Sequence, residues 1–105
     1  MKVVLSIDTT NNKEVTVSLM INGKEIVEKK PLDTRKAQIV LPMLESLLKE
    51  HKLTLQDITE IKINPGPGSF TGIRVGLTIA NTLGYLLKVP VNGQKVGAPA
   101  TAVYS

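Results

Sequence analysis

Between a short apolar run and a long helical pattern stands Asn64-Pro65-Gly66-Pro67-Gly68-Ser69-Phe70-Thr71-Gly72-Ile73-Arg74, the segment whose residue types best suit chemistry. A strand-to-helix loop presents backbone N–H groups and a helix N-terminus, which together attract an anion. Gly66, Gly68 and Gly72 would let the backbone approach a phosphate closely, and Ser69 and Thr71 would add hydroxyls. The segment departs from both standard phosphate grips. A Walker loop ends in Gly-Lys-Ser/Thr, whereas Gly72 is followed by Ile73-Arg74. Against the fingerprint G-x-G-x-x-G, the gap from Gly68 to Gly72 is one residue too long, and Pro67 removes an N–H donor. The next strand offers Asn92 where an acidic residue would hold a ribose. The simpler reading is a rigid corner with Ser69 or Thr71 capping the helix. Phosphate binding stays open as the alternative.

Other candidates are sparse. Asp8 closes the first apolar run and is followed by Thr9 and Thr10. It either orients a metal-bound water or, more simply, ends a strand by bonding to nearby backbone N–H groups in an Asx-turn. His51, the single histidine, falls at the end of a helical pattern, where it favours the helix dipole. One histidine without partners does not make a typical metal site, and no Ser/His/Asp set is in view. The chain has no cysteine, which excludes disulfides and thiolate ligands and is compatible with a reducing cytosol.

These residues sit in a chain of 105 residues, enough for one domain with a modest core. Hydrophobic residues make up 42% and charged residues 21%, the balance of a globular protein. Aromatics are only 3%, so the core must be aliphatic. The net charge of +4 is spread along the chain rather than clustered, which argues against a direct nucleic-acid surface. No signal peptide is visible, and the uncharged run between Arg74 and Lys88 is too short to span a bilayer.

Periodicity supplies the frame. Lys2 to Ile7 reads as a strand, and Val15, Val17, Leu19 and Ile21 alternate with polar or flexible residues as a second. Asn22-Gly23 is a strong hairpin turn, because both residues tolerate positive φ, and Lys24 to Lys30 returns as a third strand. Asp33 or Thr34 can cap a helix running to about Glu50, with Ala37, Val40, Leu41, Leu44 and Leu48 on one face and Ile39, Met43 and Leu47 beside them. Pro42 should kink that helix or disturb its first turns. After a turn at Leu55 to Ile58 come a short strand from Glu60 to Asn64, the glycine-proline loop and a helix from about Thr71 to Leu87. Pro90 stops that helix and Val91 begins a fifth strand. Strands separated by one helix are parallel with a right-handed crossover. The expected fold is therefore α/β, a mixed five-stranded sheet with two main helices, as in a ribonuclease H-like or actin-like single lobe.

The second helix is apolar over too wide an arc for one sheet face: Val75, Leu86, Ile79, Leu83, Leu87, Ile73 and Leu77. The surplus must be buried elsewhere. Gly76, Ala80 and Gly84 recur every fourth residue, and small residues let a second helix approach. Ile39, Met43 and Leu47 are the candidate neighbours. Packing within the chain and a subunit interface both fit, so the expected partner surface is Ile39, Met43, Leu47, Ile73, Gly76, Leu77, Ala80 and Gly84. A homodimer would bring four helices together across a two-fold axis.

Asn64 to Gly76, with Leu5-Ser6-Ile7-Asp8-Thr9-Thr10, the Leu41-Pro42 helix and Val89-Pro90-Val91, resembles the TsaB (YeaZ) family of the glycoprotease-like group. The resemblance covers residues 1–94 as an N-terminal lobe and leaves 95–105 as a divergent C-terminal tail, and the chain is roughly half the family's usual length. It implies an actin-like lobe that serves as a non-catalytic scaffold for making threonylcarbamoyladenosine on tRNA. The implied partners are a TsaD-like catalytic subunit and a TsaE-like ATPase, in the cytoplasm, with tRNA reached indirectly. Actin-like ATPases hold phosphates with an Asp-x-Gly turn, and Thr10 here replaces that glycine, hindering a phosphate. Asp8, Thr9, Thr10, Gly66, Gly68 and Ser69 remain the candidate nucleotide contacts, with ATP or ADP at a shared interface as the cofactor in question. No catalytic or metal-ligating residue is assigned.

Overall fold

The computed structural model describes residues 1–31 and 36–103. Five elements follow the expected order closely: β1 (Val3–Asp8), β2 (Glu14–Ile21), β3 (Lys24–Pro31), β4 (Glu60–Ile63) and the helix α2 (Phe70–Leu87). The sheet runs β3-β2-β1-β4, antiparallel across the first three strands and parallel between β1 and β4. At the hairpin, Asn22 and Gly23 take φ of 52° and 88°, the left-handed conformation that this dipeptide tolerates.

The expected caps Asp33 and Thr34 and the packing of Ala37 lie outside the described residues. From Lys36 to Glu50 the first helix, α1, runs continuously through Pro42.

The fifth strand shrinks to one bridge, Val91 with Ile61, leaving a four-stranded sheet. Asn92 and Gly93 have φ of 54° and 70°, and the Gln94 N–H returns to the Val91 carbonyl at 3.1 Å. A reverse turn therefore begins where the strand would have continued.

Alternation along the strands divides the sheet. Val3, Leu5 and Ile7 with Val15, Val17, Leu19, Ile61 and Ile63 face the helices and join Val40, Met43, Leu44, Leu47, Ile73, Leu77 and Ala80 in one aliphatic core. The opposite face carries Val4, Ser6, Asp8, Thr16, Ser18, Met20, Glu60 and Lys62, residues that pair across the strands in register. Among the described residues no helix is long and apolar enough to cross a membrane.

Candidate functional site

The C-terminal ends of the parallel strands β1 and β4 lie side by side, the place where open α/β sheets usually receive ligands. Each strand feeds one of the two motifs, so the Asp8-Thr9-Thr10 turn and the glycine-proline loop meet there. Asp8 Oδ1 accepts from the Thr10 N–H at 2.9 Å and its hydroxyl at 2.7 Å, an Asx-turn. Its other oxygen accepts from Asn64 Nδ2 at 3.0 Å. Asn64 Oδ1 in turn accepts from the Gly66 N–H at 3.0 Å, and the Ser69 N–H donates to the Thr10 carbonyl at 2.8 Å.

Thr9 is the centre of this joint. It is fully buried, and its hydroxyl donates to the Gly72 carbonyl at 2.6 Å. Side chains at the glycine positions would collide with the joint. A Cβ on Gly68 would come within 2.8 Å of Thr10 Cβ, and one on Gly76 would overlap Thr9 Oγ1. On the other side of the loop, a Cβ on Gly66 would overlap the Val103 carbonyl oxygen. The glycines admit the chain's own backbone and threonines into the space that a phosphate cradle would leave for ligand.

Ser69 caps α2, its hydroxyl accepting from the Gly72 N–H at 3.3 Å. The bond is long, so Ser69→Ala should cost only about 0.5–1 kcal/mol, read as a lower urea midpoint with an unchanged slope. Arg74 stacks over the Phe70 ring, 5.4 Å from its centroid, at the same helix end.

The six candidate nucleotide contacts, Asp8, Thr9, Thr10, Gly66, Gly68 and Ser69, are thus brought together, but largely against one another. Beside them an open depression of about 690 Å³ on the bare sheet face is lined by Ser6, Asp8, Thr16, Lys62, Asn64 and Asn92 among others. Two carboxylates, Asp8 and Glu60, and neutral side chains line it, with Lys62 the one cationic lining residue. His51 lies elsewhere, its Nδ1 2.9 Å from the Leu47 carbonyl at the end of α1. Among the described residues no group of three His, Cys, Asp or Glu side chains could hold a metal ion.

The expected partner surface is placed differently from its sequence reading. Met43, Leu47, Ile73, Leu77 and Ala80 are buried in the chain's own core, and Ile39 is half-buried against it. Gly76 and Gly84 face the sheet side, not a second helix: Gly76 lies against Thr9 and Ile63, and Gly84 against Val91. Small residues do permit close approach, but of α2 to the sheet. The surplus apolar arc is what stays outside. Leu41 is 43% and Leu86 66% exposed. With Thr78, Ile79, Thr82 and Leu83 they line an apolar groove of about 300 Å³ across α1 and α2. The signal for this groove was the excess width of the apolar arc. Leu41 was masked by its membership of a core-facing stripe.

Residues 31–94 match the family model described as TsaD, tRNA N6-adenosine threonylcarbamoyltransferase. The tRNA threonylcarbamoyladenosine biosynthesis protein TsaB of Bacillus subtilis is 34% identical over 94 residues, covering 85% of this chain and 39% of that protein. Its namesake in Buchnera aphidicola (subsp. Schizaphis graminum) is 32% identical over 93 residues, covering 87% and 43%. YeaZ from Pseudomonas aeruginosa superposes with a TM-score of 0.82 at 29% identity, over 90% of this chain and 44% of that one. The chain spans less than half the length of these relatives.

Proposed function

Because this chain belongs to the TsaD-related family and is TsaB/YeaZ-like within it, we propose that it acts as a non-catalytic scaffold in tRNA threonylcarbamoyladenosine biosynthesis. Its proposed partners are a TsaD-like catalytic subunit and, through the assembled complex, a TsaE-like ATPase, with tRNA reached indirectly and the cytoplasm as the site of action.

The observation that carries this reading is the joint at Thr9. The Asp8-Thr9-Thr10 turn, which stands where actin-like ATPases hold phosphate, and the glycine-proline loop are here turned inward on each other. The Thr9 hydroxyl is spent on Gly72, Asp8 on Thr10 and Asn64, and the Ser69 N–H on Thr10. A loop used in this way fixes the start and direction of α2. The helix then presents Ile79, Leu83 and Leu86 beside Leu41 as an apolar patch, the usual mark of an association surface. The partner surface we propose is this grooved patch, which replaces the buried stripe around Gly76 and Ala80. The same patch would serve a homodimer when the catalytic subunit is absent. Nucleotide is not held by this lobe alone.

Co-purification from the native cell tests the proposal. A TsaD-like subunit should be retained with the chain in stoichiometric amount. Recovery of the chain without any such subunit, from cells that express both, would count against it.

A further inference from the structure

The two edges of the sheet are guarded in different ways. Unpaired strand edges invite pairing with another chain, and proteins blunt them with charge, proline or a covering segment. The β3 edge carries Lys24, Glu25, Glu28, Lys29 and Lys30 and ends at Pro31. β4 has only four residues, of which Glu60 and Lys62 are charged, with opposite signs. Its outward backbone groups are instead matched one by one. The Ile61 N–H donates to the Pro90 carbonyl at 3.0 Å, and the Ile61 carbonyl accepts from the Asn92 N–H at 2.8 Å.

At Ile63 the main chain has already turned away, and a side chain takes over. Asn92 Oδ1 accepts from the Ile63 N–H at 2.8 Å, and Asn92 Nδ2 donates to the Ile63 carbonyl at 3.0 Å. One primary amide reproduces both hydrogen bonds of a strand residue. Next along the edge, the Pro65 carbonyl accepts from the Val103 N–H at 2.7 Å. The segment bearing Val103 is held by a second bracket of the same kind. Asn81 Oδ1 accepts from the Ala100 N–H at 2.8 Å, and Asn81 Nδ2 donates to the Ala100 carbonyl at 3.0 Å. Ala100 is buried there, 5% exposed.

We infer that Asn81 and Asn92 are paired side-chain brackets that stand in for a fifth strand and keep the β4 edge closed to strand addition by a second copy of this chain. The second copy is the occupant because its own β4 offers opposite charges in the right places. Antiparallel pairing of two β4 strands about Ile61 sets Glu60 of one copy opposite Lys62 of the other, a favourable cross-strand pair. With the brackets in place, the edge positions 61, 63 and 65 are occupied from within.

Native-state hydrogen exchange and light scattering on the full chain test this. Asn92→Gly removes the amide but keeps the turn, since glycine readily adopts the left-handed φ of 54° found there. The expected result is a selective increase in the exchange rate of the Ile63 amide, roughly tenfold or more, with the Ile61 amide unchanged. Asn81→Ala, a substitution that favours the helix, should do the same at Ala100 and Val103. The double variant should add a concentration-dependent gain in mass beyond wild type. An unchanged Ile63 rate in Asn92→Gly overturns the inference, as does a double variant with wild-type mass at every concentration. Should the double variant not fold, the single-variant rates still decide.

Discussion

Gly76→Ala is expected to destabilise the protein by about 2–4 kcal/mol, although alanine is normally the better helix residue. The added methyl would overlap Thr9 Oγ1 and lie 2.9 Å from Ile63 Cδ1. The isoleucine end can swing aside, but Thr9 is fully buried and held to Gly72 by a 2.6 Å hydrogen bond. Overpacking a tight contact costs about 1–3 kcal/mol, and weakening a buried hydrogen bond adds about 1 kcal/mol more. The two residues should therefore be coupled. Thr9→Ala removes the obstructing hydroxyl, so the double variant should be more stable than the sum of the single losses by about 1–2 kcal/mol. Urea unfolding of the four proteins measures this, and strict additivity would mean that the joint does not depend on this approach.

The second large effect concerns association. Leu41→Asp with Leu86→Asp should leave the fold intact and weaken binding to the proposed TsaD-like subunit by roughly a hundredfold or more, as when apolar residues at the centre of an interface are lost. Both side chains are substantially exposed and border the groove formed with Ile79 and Leu83. Burying two carboxylates against an apolar partner surface is costly, whereas leaving them in water is not. Titration calorimetry gives the affinity, and an unchanged thermal midpoint confirms the fold. By contrast, Ala80→Leu tests the core rather than the interface, because Ala80 is fully buried. Wild-type affinity in the double aspartate variant would place the partner surface elsewhere.

Much of the fold follows from local chemistry that the sequence displays. The meander, the Asn22-Gly23 turn and both helices come from periodicity and turn residues, and the Asx-turn at Asp8 from the short reach of its carboxylate. Two features needed the third dimension. Asn92-Gly93 is the same dipeptide as the hairpin turn, yet it follows Pro90-Val91, where a strand was expected. Periodicity carries no sign that an amide side chain will replace the strand. Likewise, the spacing of Gly76, Ala80 and Gly84 marks a close approach but not its object. Thr9, Ile63 and Val91 come under that stripe only after β1, β4 and the Val91 bridge assemble. With the stripe spent on the sheet, the exposed apolar surface lies on the flank of the helix.

The scaffold role is tested most directly by reconstitution. Purified TsaD-like and TsaE-like subunits would be incubated with tRNA, ATP and a threonylcarbamoyl donor, with and without this chain. The threonylcarbamoyladenosine formed would be measured by mass spectrometry of the digested tRNA. The wild-type chain should raise product above the subunits alone, and the Leu41→Asp, Leu86→Asp variant should not. Equal product with and without the wild-type chain would contradict the scaffold role.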